Sequence, residues 1–169
     1  MKKMLCMLLC AMLLVCPALC QAAPMIEEWL TINGQYKVAI PQELELDEFE
    51  KEDGASIRVY EDFDSEVQFI IIAGPADGSV DSVDMNPVCL HALVQENGAT
   101  RIPLTQHLEK TLGGQGSLYR MSDEADVYFF LIIEWDDATA LLGCRGPLDR
   151  EAELFTWIES LRKTYTFSL

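Results

Sequence analysis

Histidine is almost absent from this chain: His91 and His107 are its two imidazoles. Any Ser-His-Asp triad or histidine-ligated zinc site must therefore use one of them. Cys89 and His91 stand two apart on an expected helix and point to different sides, the wrong spacing for a shared metal. His-Glu-x-x-His, Cys-x-x-Cys, Gly-x-Ser-x-Gly and phosphate-loop patterns are all missing, so no reaction is named by a motif. Basic residues are scarce as well. There are 12 Lys+Arg against 28 Asp+Glu, a formal net charge of −16. Charge of that sign and size repels nucleic acid and anionic lipid headgroups and keeps a domain soluble. Beyond the first two dozen residues no apolar run is long enough to cross a bilayer. Internal repeats, low-complexity tracts and linkers are also missing, which leaves one domain as the expected organisation.

What is present begins with a leader. Met1-Lys2-Lys3 is a short positive segment, Met4 to Val15 is unbroken apolar sequence, and Pro17 with the small residues around Cys20-Gln21-Ala22-Ala23 forms a signal peptidase recognition segment. Residues 1–22 are expected to be a signal peptide and 23–169 a single globular domain. Cleavage after Ala22 fits best, with cleavage after Cys20 close behind. The leader cysteines Cys6, Cys10, Cys16 and Cys20 raise lipoprotein processing as the rival, but Pro17-Ala18-Leu19 and Leu13-Leu14-Val15 fit a lipobox badly. A periplasmic or secreted location is thus expected ahead of a lipid anchor. Two cysteines remain in the domain, Cys89 and Cys144. In an oxidising compartment they form a disulfide candidate, with two buried free thiols as the alternative.

The domain opens on a hairpin pattern, Trp29 to Ile32, Asn33-Gly34, then Gln35 to Ile40. Glu43 to Gly54 is polar enough for a surface connection. Ser56 to Glu61 and Glu66 to Ala73 are expected strands around Asp62-Phe63-Asp64-Ser65, and Gly74 to Asp84 a loop. Asn86 and Pro87 start a largely buried helix that Asn97-Gly98 ends. Thr100 to Thr105, Ser117 to Met121, Asp126 to Trp135 and Ala138 to Cys144 are further strands. A final helix is expected from about Asp149 to Lys163, with Leu154, Trp157, Ile158 and Leu161 as its apolar stripe and Arg162 and Lys163 in its last turn. Strands 66–73 and 126–135 are apolar on both faces and must be covered from both sides. The expected class is α+β: a mostly antiparallel sheet of six to seven strands sandwiched between helices in three layers, α/β/α.

Gly34-Gln35-Tyr36-Lys37-Val38-Ala39-Ile40-Pro41, Gly113 to Met121, and Phe155-Thr156-Trp157-Ile158-Glu159-Ser160-Leu161 together resemble the PsbP/DcrB superfamily, whose fold is shared with the Ran-binding Mog protein. The resemblance covers most of the domain but rests on short structural punctuation. It implies an antiparallel sheet between helices and an accessory or adaptor role rather than an enzymatic one. No functional residue is carried over by it.

Chemistry has few other candidates. Gly113-Gly114-Gln115-Gly116 lacks the Lys and Ser/Thr of a phosphate loop and suits a flexible hairpin connection. His91 and His107 are expected to face solvent. Glu61, Asp62, Asp64 and Glu66 crowd one turn, and hard cations such as calcium take several such oxygens. Asp62, Asp64 and Glu66 are therefore weak metal candidates, although the stretch lacks the EF-hand glycine and closing glutamate, and no cofactor is expected. The composition favours an exported, non-enzymatic binding or accessory domain of the cell envelope with a protein partner, for which a basic surface would be complementary. An acidic inhibitor or immunity-type protein that masks a basic partner is the first alternative, and a weak calcium binder the second.

Overall fold

The computed structural model describes residues 25–164 apart from Asn33, with side chains from Ile32 onward. The expected leader, its cleavage site and Asn33 of the Asn-Gly turn lie outside the described residues. Strands β1 (Met25–Ile32) and β2 (Tyr36–Pro41) pair as the expected hairpin, and the short β12 (Arg162–Lys163) adds to β2. The main sheet is antiparallel throughout and has seven strands. They are β3 (Glu45–Glu52), β4 (Ala55–Asp62), β5 (Val67–Pro75), β8 (Thr100–Ile102), β9 (Gly116–Ser122), β10 (Asp126–Glu134) and β11 (Ala138–Pro147), in the order β3-β4-β5-β11-β10-β9-β8. A two-residue ribbon, β6 (Ser79–Val80) with β7 (Val83–Asp84), lies in the loop after β5. Among the described residues three helices complete the order: α1 (Pro87–Glu96), α2 (Gln106–Leu112) and α3 (Glu151–Glu159), the last entered through a 3-10 turn at Leu148–Arg150.

The period of two along β5 and β10 divides the core. Val67, Phe69 and Ile71 with Val127, Phe129, Leu131 and Ile133 face Tyr36, Val38 and Ile40 of β2 and Leu154, Trp157 and Ile158 of α3. Ile72 and Ile132 point the other way, with Leu141 of β11, onto Leu90 and Val94 of α1. Helices therefore cover both faces of a mostly antiparallel sheet, and the doubly apolar strands β5 and β10 are interior, as the α+β reading requires. Trp157 centres the first layer. It is fully buried, stands edge-on to Phe69 at 6.2 Å, and lies 6.0 Å beneath the guanidinium of Arg150. That guanidinium donates to both oxygens of Glu153, at 2.6 and 2.9 Å.

Local punctuation follows side-chain chemistry. Asn86 Oδ1 accepts the Val88 amide at 3.0 Å and Pro87 takes the first helical position of α1. Thr105 Oγ1 accepts the Leu108 amide at 3.3 Å to start α2, and Gly113, left-handed at φ 60°, ends it. The glycine-rich stretch is thus a helix stop leading into β9, and α2 was not expected from sequence.

Three further expectations need correction. Glu43 to Gly54 contains β3, an edge strand exposed along its whole length, rather than a plain connection. Glutamates Glu48, Glu50 and Glu52 line one side of that open edge, and like charge there opposes edge-to-edge pairing with another copy. α1 is not largely buried, because only Leu90 and Val94 are inside, while Val88 and Leu93 are exposed. The last helix stops at Glu159, and Arg162 and Lys163 instead extend the β2 sheet, where β pairing replaces the expected macrodipole contact.

Candidate functional site

α1 covers the second sheet face only in part. On that face the register aligns two rows across the strands. Val59, Ile70, Gly143, Phe130 and Tyr119 form one; Glu61, Gln68, Arg145, Tyr128 and Met121 form the next. Ile70, Gln68, Tyr128 and Phe130 are half-buried, and a groove of about 230 Å³ opens over them. Its floor dips at Gly143. A Cβ built there would stand 3.4 Å from Phe130 and 3.9 Å from Ile70, so the missing side chain leaves room without crowding.

The walls are ordered by specific contacts. Tyr128 and Phe130 stack with centroids 6.4 Å apart and planes 17° from parallel. Arg145 lies over the Tyr128 ring at 5.7 Å and donates to Asp126 Oδ2 through Nε (3.0 Å) and Nη2 (2.8 Å). The Asp126 contact holds the Arg145 guanidinium charged, above its ordinary range. Gln68 donates to Glu61. Beyond Gln68 and Arg145 the groove continues over Glu61, Asp62 and Glu66, with the exposed ring of Phe63 beside them. An aromatic floor thus meets an acidic rim.

The metal candidates sit at this rim and serve the turn. Asp62 accepts from the Ser65 hydroxyl and from the Asp64 amide (3.1 Å), and the Ser65 bond leads in lowering its pKa. Among the described residues no three His, Cys, Asp or Glu side chains come together as a metal cluster. The structure does not join the two domain cysteines. Cys89 is exposed on α1, and Cys144 is buried on the opposite face with its thiol 3.5 Å from the Leu154 carbonyl oxygen. Both are free thiols, and the intervening sheet is the physical reason the disulfide expectation fails.

Their reactivities should differ accordingly. A hydrogen bond to Asp84 leads in raising the Cys89 pKa, while burial pushes the Cys144 thiol far above the ordinary range. With a maleimide on the folded protein at pH 8, peptide mass spectrometry is expected to find Cys89 labelled and Cys144 labelled only after unfolding. Equal native labelling would contradict the buried position of Cys144.

The histidines are not the solvent-facing residues the sequence suggested. His91 bridges the sheet, with Nδ1 2.7 Å from the Tyr119 hydroxyl and Nε2 3.0 Å from Glu134 Oε1. Tyr119 is 2% exposed, so this trio pins α1 to β9 and β10 rather than presenting a nucleophile. His107 Nε2 lies 2.9 Å from the Leu161 carbonyl oxygen and 2.6 Å from Arg162 Nη1, which ties α2 to the segment that follows α3.

Sequence reasoning did not single out Ile70, Tyr128, Phe130 or Gly143. The usable signal was a glycine inside an apolar strand, Leu142-Gly143-Cys144, together with aromatic side chains on the even positions of β10. No family model matches the chain, and no curated protein matches it. Among solved structures, a Bacteroides thetaiotaomicron protein at 1.50 Å resolution is similar over 80% of this chain, with 15% identity and a TM-score of 0.40. The chain spans 47% of that protein's length, and likeness of this degree carries no functional argument.

Proposed function

We propose that this chain is an exported, non-enzymatic binding domain of the bacterial cell envelope that engages a protein through the groove over Gly143. The supporting observation is the half-open sheet face. Ile70, Tyr128 and Phe130 are left partly uncovered at a concave site, whereas the opposite face is sealed by β2 and α3. Apolar and aromatic surface kept at a concave position on a domain with a full core is a common mark of an interaction site. The positive, apolar and small-residue segments of the first 23 residues support export. Membership of the PsbP/DcrB superfamily, proposed on the short stretches quoted above, agrees with an accessory or adaptor role.

A photo-crosslinking residue placed at Tyr128 tests the proposal in cells that express the protein. A discrete adduct is expected from that position, and none from Thr156, exposed on α3 on the other side of the sheet. The adduct should disappear when Gly143→Leu fills the groove. Identical products from both positions, or none from Tyr128, would remove the groove as the working surface.

A further inference from the structure

We infer that the groove receives a cationic segment of a partner protein that inserts one aliphatic or aromatic side chain over Gly143 and sets Lys or Arg residues against the acidic rim. This rests on the binding role proposed above and names its ligand chemistry. The size of the groove is the first argument. Small-molecule sites commonly occupy about 300–1,000 Å³; the apolar part over Gly143 is about 230 Å³, room for one large side chain, and the further 300 Å³ or so lies over the acidic rim.

The lining supplies the second argument. Phe130, Ile70 and the bare Gly143 backbone form an apolar seat, and two of the polar side chains beside it are already engaged: Gln68 with Glu61, Arg145 with Asp126. An inserted apolar group displaces water from that seat without breaking either contact.

Charge decides which apolar segment fits. Glu61, Asp62, Glu66 and Asp126 surround the groove and its extension, against the guanidinium of Arg145, already paired with Asp126, and that of Arg150, which acts on Asp62 while held by Glu153 and Glu43. The chain as a whole carries −16. A second copy of the chain, an anionic lipid surface and a nucleic acid are all repelled by this field, while a basic segment is drawn in and oriented. A small organic cation seated on the aromatic rings is disfavoured as well, because Arg145 already occupies the face of Tyr128. The remaining match is an amphipathic segment with Lys or Arg one or two positions from a Leu- or Phe-like anchor.

Fluorescence anisotropy with a labelled heptapeptide of alternating Lys and Leu tests this. Peptides of alternating Lys and Gly and of alternating Glu and Leu are the controls. The Lys-Leu peptide is expected to bind, with affinity falling as salt rises, and the controls at least about tenfold more weakly, equivalent to 1.4 kcal/mol. Gly143→Leu should abolish binding by filling the seat. Should that variant fold poorly, the rim substitutions Glu61→Gln, at a half-buried position, and Glu66→Gln, at an exposed one, should together weaken binding several-fold and flatten the salt dependence. Equal affinity for Lys-Leu and Lys-Gly peptides, or binding indifferent to Gly143→Leu in a folded variant, would overturn the inference as mere counter-ion attraction. If the peptide fails to bind while Tyr128 still crosslinks a partner in cells, the cationic ligand is refuted and the binding role survives. If both fail, both fall.

Discussion

Substituting alanine for Trp157 is expected to cost about 3–5 kcal/mol of folding stability, the range for removing a large buried aromatic. The indole is fully buried between the sheet and α3, against Phe69 and beneath Arg150. Neighbours from two layers would have to collapse into the space it leaves, and the paired Arg150–Glu153 side chains cannot do so cheaply. Domains of this size are stable by about 5–15 kcal/mol, so this one change removes a large share. Thermal unfolding followed by circular dichroism should show the midpoint fall by roughly 10–15 °C. Trp157→Phe should retain most of the stability, since the indole N–H has no hydrogen-bond partner among the described residues. A loss below about 1 kcal/mol for the alanine variant would mean that Trp157 is not the centre of this layer.

Gly74→Ala is the second large effect, and its cause is steric excess rather than a cavity. Gly74 lies in β5 against β4, and a Cβ built on it would stand 2.4 Å from the Ala55 Cβ and 2.5 Å from its Cα. The obstacle includes backbone, so no rotamer change relieves it. One methyl group must push two neighbouring strands apart within a close-packed core. The expected cost is about 3 kcal/mol, at the upper end of ordinary overpacking. Urea titration should show a lower midpoint with an unchanged slope. Gly143→Ala provides the contrast within the same sheet. Its Cβ would meet Phe130 at 3.4 Å, an ordinary contact, and stability should change by less than about 1 kcal/mol. If the two variants were equally stable, close strand approach at Gly74 would be wrong.

The parts of the fold that sequence made legible are those governed by neighbouring residues. The alternation along Val67 to Ile72 and Val127 to Ile133 located the interior strands, and Asn86-Pro87 located the start of α1. The parts it hid depend on tertiary pairing. Glu45–Glu52 is too acidic to read as a strand on propensity, yet its backbone completes an edge against β4. The apolar residues of α1 suggested burial all round, but the helix meets the sheet on the side of Leu90 and Val94 only. Cys89 and Cys144 looked like partners because sequence gives no account of which face each occupies. The groove was hidden for a related reason. Ile70 and Phe130 resemble any other core residues, and only the width of α1 against that of the sheet leaves them half-covered.

The position of β11 also governs the order in which this chain can become a protein. Residues 138–147 supply the central strand, hydrogen-bonded to β5 on one side and β10 on the other. A chain delivered from its N-terminus holds β3-β4-β5 and β8-β9-β10 as two half-sheets, each with an apolar edge, until this strand arrives to join them. Such late, long-range closure is intrinsically slow and leaves incomplete chains open to association. For a chain threaded across a membrane in extended form, as the proposed export implies, the same delay is useful. The sheet cannot lock before residues 138–147 have passed through.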